Sequence, residues 1–73
     1  MDPQKKPHPS TQHLLQFFSY QHLPEHLQAV SKPLGEVAAK MAEELPNNPE
    51  TTAGLRKLLE AKDCFVRARL ARE

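Results

Sequence analysis

Seventy-three residues, a net charge of +1 and a single cysteine exclude much at once. No intrachain disulfide is possible, and the near-neutral balance argues against a general nucleic-acid binder. A chain of this length makes one small domain that is marginal as a monomer, so self-association is the first expectation.

Residues 1–9, MDPQKKPHP, hold three prolines and two lysines and read as a disordered arm. Lys5 and Lys6 are followed by no apolar core, so no signal peptide is expected. No apolar run approaches the roughly 20 residues of a membrane span. The lone cysteine suits a reducing, cytoplasmic setting. Residues 10–73 are expected to form a single helical hairpin domain. Ser10 or Thr11 can cap a short helix over TQHLLQFF, whose apolar content is Leu14, Leu15, Phe17 and Phe18. SYQHLP then breaks the pattern. Pro24 suits a first helical position, with Glu25 near the positive end of the dipole.

From Leu23 the apolar spacing is regular. Leu23, Leu27, Val30, Leu34, Val37, Met41 and Leu45 advance by 4, 3, 4, 3, 4 and 4, an a/d-like seam on one long helix. Pro33 interrupts the hydrogen bonding but not this register, so the spacing predicts one helix kinked at Pro33. Pro46 ends it. In PNNP, Asn48 can cap a second long helix that Pro49 opens and that runs to about Ala71. Matched lengths and a short loop predict an all-α, antiparallel helical hairpin. The second helix spreads Leu55, Leu58, Leu59, Phe65, Val66 and Leu70 over about 140° of its circumference, more than one partner helix covers. The N-terminal Leu/Phe segment is expected to add more bare surface. Each such side chain gains about 1.5–3 kcal/mol on burial, so other copies of the chain are expected to cover them.

Lys62 and Arg69 fall inside that apolar arc. Three readings compete. Their stems can lie over apolar neighbours while the heads reach water. They can pair with an acid of the first helix, such as Glu36, Glu43 or Glu44. Or they can line a pocket between subunits and hold an anion, since an unpaired buried cation is costly. On the opposite side, Arg56–Glu60 and Asp63–Arg67 have the i, i+4 spacing of a solvated ladder. FFSYQH places Phe17, Phe18, Tyr20 and His22 at the break between helices. Aromatic faces there can stack a nucleobase, or simply plug a core. His22 and His26 have the spacing of a helical metal pair, but no acid or cysteine completes a set, and no metal is expected. Cys64 has no nearby histidine in sequence. With no Gly-rich phosphate loop and no paired carboxylates, neither an enzyme nor a cofactor is expected.

FFSYQHLPEHLQAVSKPL, followed by LPNNPETTAGLRKLLEAKDCFVRARL, resembles small bacteriophage proteins carrying the hairpin domain of the anti-CBASS and anti-Thoeris sponges. The resemblance covers about residues 17–70. It rests on the aromatic–x–Tyr–x–His–Leu–Pro entry, Pro46, and the Leu-Arg-Lys-Leu-x-x-Ala stretch from Leu55 to Ala61. It implies a compact homo-oligomer, commonly a hexamer, in the cytoplasm of an infected bacterium. Such an assembly sequesters cyclic di- or trinucleotide immune signals without cleaving them. It implies base stacking at the aromatic entry, Phe18, Tyr20 and His22, and phosphate contacts from Lys62, Arg69, Arg56 and Arg67. The competing expectation is a helical module that docks a host protein through its apolar stripe.

Overall fold

Residues 9–71, which the computed structural model describes, fold into helices and short connections with no strand among them. Helix α1 spans Pro9–Leu15 and runs into a 3-10 turn, Gln16–Phe18; α2 spans Glu25–Glu44 and α3 spans Pro49–Ala71. The arm expected over 1–9 lies outside the described residues except for Pro9, which opens α1 one residue earlier than the expected caps. No helix here is long and apolar enough to cross a membrane.

Local chemistry sets the boundaries. Pro24 precedes α2, and its carbonyl accepts from the amides of Leu27 at 3.0 Å and Gln28 at 2.9 Å. Glu25 places a carboxylate at the positive end of the dipole. Helix α2 continues through Pro33. Pro33 removes the donor for the Ala29 carbonyl, and both residues are exposed, where water can serve instead. Leu45 then turns to an extended conformation ahead of Pro46. At the start of α3 the Thr51 amide donates to Asn48 Oδ1 at 3.0 Å, the expected cap. Thr51 Oγ1 adds a bond to the Pro46 carbonyl at 2.7 Å, tying loop to helix.

Met41 and Leu45 meet Leu55 and Leu58 around one groove, while at the other end Arg69 donates to the His26 carbonyl across 3.4 Å. Helices α2 and α3 therefore run antiparallel. Helix α1 and its 3-10 turn lie along one side of this pair. Leu14 and Phe18 enter a common core with Ala38, Ala42 and Leu55. The N-terminal segment therefore buries Leu14 and Phe18, and of the bare surface its composition suggested Phe17 remains, at 48% exposure. It covers part of the apolar arc of α3, with Leu59 packed against the same cluster.

The orientation of α2 departs from the expected seam. Its buried residues are Leu27, Ser31, Gly35, Ala38 and Ala42. The large residues sit one step around the helix, and Val37 keeps 45% of its surface exposed. Close approach explains the choice. A Cβ on Gly35 would stand 3.0 Å from the Phe18 carbonyl oxygen and 3.3 Å from the Tyr20 ring. The chain that carries Phe18 and Tyr20 can lie this near only over a row of small side chains. Two buried hydroxyls, Thr11 Oγ1 and Ser31 Oγ, have no hydrogen-bond partner, a cost the fold carries.

Candidate functional site

The connection between the 3-10 turn and α2 carries Tyr20 and His22. It is held from both ends. Its turn is closed by the Leu23 amide donating to the Tyr20 carbonyl at 3.0 Å. Gln28, one turn into α2, reaches back and donates to the Leu23 carbonyl at 2.8 Å, with the Gln21 carbonyl at 3.4 Å from the same nitrogen. Tyr20 is half-buried with its ring along Gly35, and His22 is exposed. Neither Gln28 nor Gly35 stands out in the sequence as a site residue. The one signal is a glutamine four residues after a helix-initiating proline, where its side chain can turn back on the entry.

Phe18, assigned to stacking with Tyr20 and His22, does not share their position. It is 4% exposed and belongs to the core, so its ring has no free face. The exposed member of the pair is Phe17, whose ring meets His13 edge-on at 5.3 Å between centroids.

The cations divide. Lys62 retains 14% of its side-chain exposure and its Nζ stands 2.9 Å from Asp63 Oδ1. Among the three readings, the partner is an acid, but it is the next residue along α3 and not Glu36, Glu43 or Glu44. Asp63 turns to Lys62 and away from Arg67, whose Nη2 instead faces Cys64 Sγ at 3.4 Å. A half-enclosed ammonium has more to gain from a carboxylate than a guanidinium already in water. The expected Arg56–Glu60 and Asp63–Arg67 bridges are not among the ion pairs of the described residues, which are Lys40–Glu44 and Lys62–Asp63.

The Arg69–His26 contact sets the register. Seven residues back along α3 from Arg69 is Lys62; seven forward along α2 from His26 is Pro33. Lys62 is thus level with Pro33, within one turn of the glycine on which Tyr20 rests. Arg69 lies about 10 Å further along the axis, and Arg56 about 9 Å the other way. Arg56 instead lines a cavity of about 370 Å³ at the loop end, with Ser10, Asn47, Asn48, Pro49 and Thr52. Arg56 and Arg69 are separated by about 20 Å of helix, too far for both to hold one small ring from the same chain.

Among the described residues no three of His, Cys, Asp and Glu converge as metal ligands. What the arrangement offers is a flat ring on a fixed connection and, at a similar level along the hairpin axis, a half-enclosed cation. No protein-family model, curated protein or solved structure matches this chain.

Proposed function

We propose that this protein binds cyclic di- or trinucleotides and sequesters them without cleaving them, in the cytoplasm of an infected bacterium. Withdrawing the signal would prevent activation of CBASS-type effectors. The observation that carries this reading is the placement of Tyr20 and Lys62 on one level of the hairpin. A base stacks on a tyrosine at about 1–3 kcal/mol. A phosphodiester replaces Asp63 as the partner of an ammonium already withdrawn from water. His22 adds a second ring on the same connection. The ligand class itself comes from the resemblance of residues 17–70 to the phage sponge hairpins.

The cation spacing supports an assembly over a single chain. One ring carries one charge per phosphodiester, and each chain brings one Lys62 and one Arg69. Copies related by symmetry therefore multiply the cations around a shared ligand, as in a hexamer. Arg56, at the loop end, and Arg67, facing Cys64, would reach such a ligand from a neighbouring copy. Bare apolar residues, Phe65 and Leu70 among them, suit such neighbours.

Equilibrium dialysis against a panel of cyclic di- and trinucleotides tests the reading. At least one is expected to be depleted from solution and recovered intact after denaturation. Tyr20→Ala should weaken the depletion at least about tenfold. If the wild type depletes none of the panel, or returns hydrolysed products, the reading is wrong.

A further inference from the structure

The cavity at the loop end of the hairpin lies away from Tyr20 and Lys62. Three segments build its wall: Ser10 from the start of α1, Asn47, Asn48 and Pro49 from the loop, and Thr52 and Arg56 from the first turns of α3. Thr52 and Arg56 stand four residues apart and so share one face of their helix. Glu50 belongs to the other side of α3, where it lines a groove with Met41 and Leu45. Among the described residues no carboxylate lines the cavity, and Arg56 is the one cation in its wall. Neither ion pair of the described residues involves Arg56. The helix end itself has little left to offer an anion. Asn48 already accepts from the Thr51 amide at 3.0 Å through its side chain and from the Thr52 amide at 3.2 Å through its carbonyl. Pro49 has no N–H to add. The attraction therefore comes from the guanidinium.

We infer that this cavity binds a small polar carboxylate, of the size of a hydroxy acid or an N-acylated amino acid, with the carboxylate on Arg56. Three properties of the wall select that class. First, its charge is single. One guanidinium matches one carboxylate in a bidentate pair, whereas a phosphate monoester brings nearly two charges and would be left partly uncompensated. Second, the wall is polar. Pro49 is its sole apolar residue, beside two carboxamides and two hydroxyls. Hydroxyl and amide groups of a ligand find donors and acceptors there, and an acyl chain finds no seat. Third, no aromatic ring lines it. A nucleobase would have no face to stack on, which sets the site apart from Tyr20 and disfavours a nucleotide phosphodiester, the other singly charged candidate. The volume, about 370 Å³, lies at the small end of the roughly 300–1,000 Å³ of ligand sites, as a ligand of this size requires. The inference needs no neighbouring copy and does not rest on the nucleotide reading. It gives Arg56 a ligand within its own chain.

Titration of the isotope-labelled protein with N-acetylglycinate, at constant ionic strength, tests this by nuclear magnetic resonance. The backbone amides of Asn47 and Thr52 and the side-chain Nε–H of Arg56 should shift together and saturate in the millimolar range. N-acetylglycinamide, the same body without the charge, should produce no saturating shift. Arg56→Gln, at an exposed position where the fold is expected to persist, should weaken binding at least about tenfold. Thr52→Val keeps the shape, removes one hydroxyl and should weaken it less. Lys57→Gln removes an adjacent charge that does not line the cavity and should leave the affinity unchanged. Shifts that fail to saturate overturn the inference. So does a Lys57→Gln variant as impaired as Arg56→Gln, which would reduce the effect to diffuse charge. Tighter saturation of the same signals by dimethyl phosphate or inorganic phosphate would overturn the carboxylate assignment. No cyclic nucleotide enters the titration, so its failure leaves the sponge reading standing.

Discussion

The two glycines make opposite predictions from the same substitution. Both lie inside helices, where alanine is favoured over glycine by about 1 kcal/mol. At Gly54 a methyl meets nothing within 4 Å, so the full gain should appear. At Gly35 the same methyl would stand 3.0 Å from a backbone oxygen of Phe18 and 3.3 Å from the Tyr20 ring. A backbone carbonyl cannot swing aside as a side chain does. The connection must move outward, at the roughly 1–3 kcal/mol typical of overpacking. Gly35→Ala is therefore expected to be net destabilising by about 1 kcal/mol, and Gly54→Ala net stabilising by about the same. In a domain of this size each kcal/mol shifts Tm by about 4–8 °C, so the two variants should melt about 8 °C apart or more. Thermal circular dichroism measures this. A second signal is local: Tyr20 is the only tyrosine and there is no tryptophan, so intrinsic fluorescence reports the displaced ring alone. If Gly35→Ala melts as high as Gly54→Ala with unchanged fluorescence, Tyr20 does not rest on that glycine and the site geometry fails.

Adjacent phenylalanines should behave very differently. Phe18→Ala empties a core position and should cost about 3 kcal/mol or more, read as loss of cooperative melting, whereas Phe17→Ala should stay within about 0.5 kcal/mol. Thr11→Val keeps the shape and deletes an unpartnered hydroxyl, so Tm should rise. Gln28→Ala releases the Leu23 carbonyl, and amides 20–23 should exchange faster while those of α3 keep their protection. Lys62→Met should leave Tm no lower than wild type, since a half-enclosed ion pair is weak evidence for stability, yet nucleotide depletion should be lost. A large drop in Tm would make the pair structural.

Helix limits were legible because they are written in adjacent residues. Asn48, Pro49 and Glu50 specify the start of α3 without reference to anything distant, and the observed span, Pro49–Ala71, coincides with the expected one. The rotation of α2 was not legible on those terms. Ser31, Gly35, Ala38 and Ala42 repeat every 4, 3 and 4 residues, as regular as the large seam beside them. A reading weighted by hydrophobicity prefers the larger set. The smaller set wins because the Phe18 backbone and the Tyr20 ring approach it closely at Gly35, and only the assembled fold contains that information. Phe17 and Phe18 pose the same difficulty: neighbours differ by a single helical step, and no period selects between them across a change from α to 3-10. Asp63 chose Lys62 over the better-spaced Arg67 because burial decides the need, and burial is not local. Tyr20 lies on a connection with no periodicity to read, placed by Gln28 and Gly35.

Seven residues of helix cannot sustain themselves in water, because nucleating a turn costs more than so few bonds return. The helicity of α1 is therefore borrowed from the surface laid down by Ala38, Ala42 and Leu55. The N-terminal helix is therefore expected to be the least protected of the three against amide exchange. On partial denaturation Leu14 and Phe18 should leave together and expose their seat while α2 and α3 are still zipped.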